Sequence, residues 1–210
     1  MTSFTKKEDL KLAARTLAFA VDPDAAGGIL TGLKNRTVSR RAVDSAILLT
    51  EVTGETPEGM LLHADILTFR DYPAVKLCAA LENRGEHSLC PKEPIFLPDM
   101  EFCGSLPRLL SNGIECRIIS DEIVRSNAEE YRICTEESSL AVRTDGKISL
   151  RRSPCGYLLR VGTDCPELKP GCRYSLPSVL LVTAAGNEDR LCSLLSDWDR
   201  AHSIPFSAED

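Results

Sequence analysis

Residues 59–85 read GMLLHADILTFRDYPAVKLCAALENRG, and the architecture follows from how this segment alternates. Within 60–69, Leu61, His63, Asp65, Leu67 and Phe69 fall on one face of an extended chain, and Leu62, Ala64, Ile66 and Thr68 on the other. Asp71-Tyr72-Pro73 turns the chain into 74–81, where Val75, Leu77, Ala79 and Leu81 alternate with Lys76, Cys78, Ala80 and Glu82. Asn83-Arg84-Gly85 closes the second run. Two period-two runs joined by a short turn predict neighbouring antiparallel strands, each with one face in a core.

The same grammar extends in both directions. Upstream, 38–52 is a strand-length apolar run, separated from 60–69 by Thr53-Gly54-Glu55-Thr56-Pro57-Glu58-Gly59, which has hairpin-loop chemistry. Downstream, Pro91, Pro94 and Pro98 confine 90–99 to an edge or a loop. Short strands are expected at 114–120, 131–135, 156–162 and 179–183. Runs 139–143 and 147–151 flank Thr144-Asp145-Gly146, and Asp-Gly between alternating runs predicts a hairpin. The N-terminus is ambiguous: Thr5-Lys6-Lys7-Glu8 reads as a capping box with Leu10, Ala13, Ala14, Leu17 and Ala18 at helical spacing, yet 17–21 equally ends a strand. Residues 22–28 read as a turn.

The last element changes period. Asn187 is a good N-cap, Glu188 and Asp189 suit the positive end of a helix, and Leu191, Leu194, Leu195 and Trp198 form an apolar stripe. The expectation is one mainly β domain over 1–210, an antiparallel β-sandwich of nine or ten strands with a C-terminal helix at 187–203.

Composition narrows the function classes. The 210 residues carry 31 acidic against 25 basic side chains, a net charge of −6, with no basic cluster that interleaves aromatics. That balance argues against nucleic acid or an anionic membrane as partner. No stretch has the roughly 18–20 apolar residues of a membrane span, and Glu8 and Asp9 stand where a leader would become apolar. A cytoplasmic location is expected. The nine cysteines are irregularly spaced with no Cys-x-x-Cys pair, which predicts reduced thiols acting as small hydrophobes and no zinc cage.

No nucleophile elbow, dinucleotide fingerprint, phosphate loop or zinc-protease motif is present. Gly27-Gly28-Ile29-Leu30-Thr31-Gly32-Leu33-Lys34 has the wrong spacing for phosphate. His63, His87 and His202 show no metal-ligand spacing, so no cofactor or metal is expected. Glu129-Glu130 and Glu136-Glu137 read as exposed charge. His63 and Asp65 share a strand face and are the candidate substrate-binding pair, against the plainer alternative of a solvated face. Trp198, the only tryptophan, reads as core or a docking contact, with a sugar-stacking platform as the alternative.

Two segments carry a family resemblance. The first is the strand, the Asp71-Tyr72-Pro73-Ala74-Val75 turn, the next strand and Glu82-Asn83-Arg84-Gly85. The second runs from Leu176-Pro177-Ser178-Val179-Leu180-Leu181 through Gly186 to Trp198-Asp199-Arg200-Ala201-His202-Ser203-Ile204-Pro205. Together they resemble the N-terminal β-supersandwich domain of glycoside hydrolase family 36 α-galactosidases, a galactose-mutarotase-like fold. In that family the second segment leads into the catalytic barrel, which would begin soon after Ile204-Pro205. Lys76-Leu77 replaces the family's frequent Glu-Trp, and 91–172 is shorter than the corresponding part. The barrel that holds the family's catalytic aspartates has no counterpart, so no catalytic residue carries over.

The resemblance implies a non-catalytic β-sandwich that packs on or caps a glycosidase catalytic domain, or binds a carbohydrate; a second copy of the chain is a further partner to expect. One alternative is a small epimerase- or mutarotase-like enzyme using Asp, Glu and His in a sheet concavity, with His63 and Asp65 as first candidates. Another is a scaffold protein without a ligand.

Overall fold

The computed structural model describes residues 3–17, 30, 32–90, 95–103, 108–116, 122–125, 129–135, 138–153 and 156–202. It opens with helix α1 (Ser3–Thr16), so the N-terminal ambiguity resolves to a helix, with Leu17 dropping into the core at its end. The turn expected at 22–28 lies outside the described residues.

A meander follows: β1 (Lys34–Ala42), β2 (Ile47–Glu55), β3 (Leu61–Phe69) and β4 (Ala74–Glu82), each pairing antiparallel with the next. The expected single run over 38–52 is therefore two strands. The break is chemical: the Asp44 carboxylate accepts the backbone N–H groups of Ala46 and Ile47 at 2.6 and 2.8 Å, closing an Asx turn. The next loop is shorter than expected, because β2 runs on to Glu55; Gly59 closes it at φ +90°, where only glycine sits without strain.

The rest of the chain supplies β5 (Ile95–Cys103), β6 (Arg108–Ser111), β7 (Ile114–Cys116), β8 (Glu122–Arg125), β9 (Glu130–Cys134), β10 (Ser138–Thr144), β11 (Lys147–Ser153), β12 (Gly156–Thr163), β13 (Arg173–Ser175) and β14 (Val179–Ala185), then helix α2 (Glu188–His202). The large sheet runs β1-β2-β3-β4-β14-β10-β9-β6-β7, with β13 also on β4; the small sheet runs β5-β12-β11-β8. The prolines near 90–99 fit this placement, since β5 is an edge strand.

Between the sheets lies one apolar core. Val75, Leu77, Ala79 and Leu81 of β4, Ile133 of β9, Leu140 and Val142 of β10 and Leu181 of β14 meet Ile148, Leu150, Leu159 and Val161 of the small sheet. Each large aliphatic chain so buried contributes about 1.5–3 kcal/mol. The inner faces of β3 and β4 are the ones their alternation predicts. The fold is the antiparallel sandwich with a C-terminal helix.

The Asp145-Gly146 turn is a correction. No hairpin forms there: β10 pairs with β14 and β9 in the large sheet, while β11 pairs with β12 and β8 in the small one. Leu140 and Val142 on one side and Ile148 and Leu150 on the other face the same core, so the chain arches from layer to layer. A Cβ at Gly146 would lie 2.7 Å from the Gly162 carbonyl oxygen and 3.1 Å from Pro177. Gly146→Ala is accordingly expected to lose about 1–3 kcal/mol, read as a lower melting temperature with unchanged strand content. A two-residue hairpin does form at Asn112-Gly113, with both φ positive (47° and 79°) between β6 and β7, a type I′ geometry.

Candidate functional site

The outer face of the large sheet is divided. Its centre is covered by α2, whose Leu191, Leu194, Leu195 and Trp198 pack onto Phe69, Ala74, Leu110, Ala141, Val182 and Ala184. Asn187 caps the helix, its side-chain oxygen accepting the Arg190 N–H at 3.3 Å.

A ladder of charges straps both ends of α2 to the sheet. Glu130 on β9 accepts Arg132 and its cross-strand neighbour Arg143 on β10, each Nε at 2.7 Å. Arg132 reaches Glu188 in the first turn of α2 at 3.4 Å. Arg143 pairs bidentately with Asp199 in the last turn, one of its two bonds at 3.0 Å. The expectation of exposed charge at Glu129-Glu130 thus fails for Glu130: two guanidinium groups converge on it because its register places it between them. Glu136-Glu137 lies outside the described residues.

The Arg143 hydrogen bonds hold the Asp199 carboxyl below the usual carboxylate range, with burial opposing. Asp199 in turn raises Arg143 further above its ordinary value. A depressed folded value means the pair stabilises fully above the unfolded value, near pH 4, and loses that contribution as pH falls below it. The melting temperature of the native chain should therefore fall more steeply below about pH 4 than that of Asp199→Asn, the two curves converging in acid.

Beside the C-terminal half of α2 the described residues leave a cleft of about 950 Å³ on the sheet. Ile47, Leu67, Phe69 and Leu180 line it from β2, β3 and β14, and Trp198, Ala201 and His202 from α2. Its polar lining is Lys76, Glu129, Arg143, Thr144, Asp145 and Ser178. The arch sets the polar groups in place: the Gly146 N–H bonds the Thr144 hydroxyl at 3.0 Å, and the Thr144 N–H bonds the Glu129 carbonyl at 3.2 Å.

Trp198 is 7% exposed. His202 stacks on it with ring centroids 3.8 Å apart, while Phe69 and Tyr72 meet it edge-on at 4.7 and 5.6 Å. Its role is core and wall, not platform.

His63 and Asp65 sit on the same face of β3 as Leu67 and Phe69, toward the opposite end of the strand, and neither lines the cleft. His63 Nε2 is 3.4 Å from Glu82 Oε2, and Asp65 is exposed. Glu82 also takes Arg84 at 2.9 Å, and that bond first, then His63, holds its carboxyl below the usual range. Among the described residues no three of His, Cys, Asp and Glu gather as metal ligands. Burial pushes the Cys78, Cys134 and Cys165 thiols up, away from nucleophilic thiolate.

The cleft-lining residues Lys76, Glu129, Arg143, Asp145 and Ser178 were not candidates from sequence. Two strands and three loops distant in the chain converge there, and only the alternation of β4 hinted that Lys76 faces outward.

No family model matches the chain, and no curated protein does. Solved structures do match in fold. The α-galactosidase of Lactobacillus brevis aligns over 80% of this chain and 29% of its own length, at 8% identity and a TM-score of 0.62. The family 36 α-galactosidase AgaA A355E of Geobacillus stearothermophilus, in complex with 1-deoxygalactonojirimycin, aligns over 80% and 30%, at 9% identity and 0.62. A putative aldose 1-epimerase of Klebsiella pneumoniae aligns over 78% and 57%, at 9% identity and 0.53. The chain thus spans about three-tenths of the α-galactosidases it resembles. The resemblance drawn from the two sequence segments holds in three dimensions, as a partial one. The fold is a β-sandwich of the kind found within carbohydrate-acting enzymes.

Proposed function

We propose that this chain is a non-catalytic β-sandwich that packs on or caps a glycosidase catalytic domain. The observation behind this reading is the asymmetry of the alignments: four-fifths of the chain superposes on less than a third of an α-galactosidase. The direct test is co-expression with the remaining portion of a family 36 α-galactosidase, followed by size-exclusion chromatography. Co-elution in a fixed ratio is expected; separate elution of two folded proteins rejects the role.

The alternative is a small sugar-acting enzyme, favoured by the putative epimerase among the structural matches and by the His63–Glu82 contact on an open sheet face. It requires the chain alone to interconvert sugar anomers or epimers, and His63→Ala and Asp65→Ala to abolish that turnover. The packing reading expects no turnover from the chain alone.

A further inference from the structure

We infer that Cys90 and Cys165 form a redox-sensitive pair, two thiols that a small disulfide oxidant converts into one reversible disulfide across the connections between the two sheets. This goes beyond the packing role, since it assigns a modification site away from both the cleft and the His63–Glu82 contact.

Topology brings the two residues together. The chain leaves β4 of the large sheet after Glu82 for β5 of the small one, and leaves β12 of the small sheet after Thr163 for β13 of the large one. These crossings are paired at both ends. Thr163 pairs with Ile95 where β12 meets β5, and Leu168 pairs with Leu89 in an isolated antiparallel bridge with backbone hydrogen bonds of 2.9 and 2.8 Å. Cys90 and Cys165 both fall between those pairs. Counted from the bridge, Cys90 stands opposite Glu167, and Cys165 is two positions further along, a diagonal neighbour at about 7–8 Å in an extended ladder. A disulfide needs Cα atoms about 4.4–6.8 Å apart, so a small approach of the two crossings closes it.

The crossings are already anchored to each other. Asn83 is fully buried; its side-chain amide donates to the carbonyls of His87 and Leu168 at 2.8 and 2.7 Å, and its backbone oxygen accepts the Gly171 N–H at 2.8 Å. Holding two reacting groups at short range is what makes ring closure fast.

Exposure divides the roles. Cys90 is exposed and meets an oxidant in solution, whereas Cys165 is half-buried against the core, its thiol donating to the Pro166 carbonyl at 3.5 Å. Burial first, then the charge of a Cys90 thiolate, raises the Cys165 thiol, which places the two sulfurs within electrostatic reach. With oxidised glutathione, the Cys90 thiolate attacks one glutathione sulfur and expels a glutathione thiolate, leaving a mixed disulfide on Cys90. The Cys165 thiolate then attacks the Cys90 sulfur and expels the second glutathione thiolate. Two protein thiols lose two electrons and two protons, and one glutathione disulfide gains them as two thiols. A bond that is partly exposed and closes only on a displacement is the kind that reductants reopen.

The test uses the intact 210-residue chain, fully reduced and then equilibrated in mixtures of oxidised and reduced glutathione, trapped by alkylation and digested without reduction. The expected product is a Cys90–Cys165 cross-linked peptide, with a melting temperature about 4–8 °C above that of the reduced chain and full return in excess reduced glutathione. Cys90→Ser, at an exposed position, should melt like the reduced native chain and lose both the cross-link and the shift. Cys172→Ser, which removes the exposed thiol beside Gly171, should change neither. A Cys90–Cys172 link, a mixed disulfide on Cys90 that never resolves, a cross-link that excess reduced glutathione does not reopen, or one that leaves the melting temperature unchanged would each overturn the assignment.

Discussion

Trp198→Ala should destabilise the chain by about 3–5 kcal/mol, the largest effect expected of any substitution in α2. The indole is 7% exposed and is the hub of an aromatic cluster with Phe69, Tyr72 and His202. Edge-to-face and stacked contacts each add to the area it buries. Removing it leaves a cavity between helix and sheet in a cluster that is otherwise closely packed. Urea unfolding followed by circular dichroism reads the loss as a lower midpoint. A loss below about 1 kcal/mol would mean that α2 is held by its salt bridges rather than by its apolar stripe.

The second large effect is expected at Asp9. Its carboxylate is fully buried, accepts the Ala185 N–H at 2.8 Å and pairs with the Arg190 guanidinium through both of its nitrogens Nε and Nη2. One side chain of α1 thus ties the end of β14 to the start of α2, the junction on which the position of α2 depends. Asp9→Ala leaves a largely buried cation and a backbone donor without their acceptor, which costs about 3–5 kcal/mol. Asp9→Asn keeps an acceptor for Ala185 and should cost less. Equal melting temperatures for Asp9→Ala and the native chain would show that α1 does not brace this junction.

Legibility in the sequence followed the physics of each signal. Alternation over 60–69 and 74–81 named the inner faces of β3 and β4 because both strands have one face in the core. The stripe Leu191, Leu194, Leu195 and Trp198 gave α2 for the same reason at helical period. Turn dipeptides were less faithful. Asn112-Gly113 makes a tight hairpin, whereas Asp145-Gly146, chemically its near equivalent, carries the chain between sheets. The dipeptide fixes a local reversal; whether the flanking strands pair or face each other depends on what else each can bond. Here β14 and β12 out-compete the hairpin partner.

The cleft was the least legible part. Lys76, Arg143, Asp145, Ser178 and His202 come together only once β14 inserts between β4 and β10, a long-range pairing that no local pattern announces. Glu130 illustrates the same limit. As a residue in an acidic pair it looks like surface, and as a cross-strand neighbour of Arg143 it becomes the anchor of a helix.

One measurement bears on the whole account: sugar turnover by the purified chain, alone and together with the remaining portion of a family 36 α-galactosidase, with complex formation followed by light scattering. The chain alone should be inert toward α-galactosides and toward anomeric interconversion, and it should form a complex of fixed stoichiometry with the catalytic portion. Turnover by the chain alone that disappears in His63→Ala, with no complex formed, would replace a sandwich that serves a catalytic domain with an enzyme in its own right.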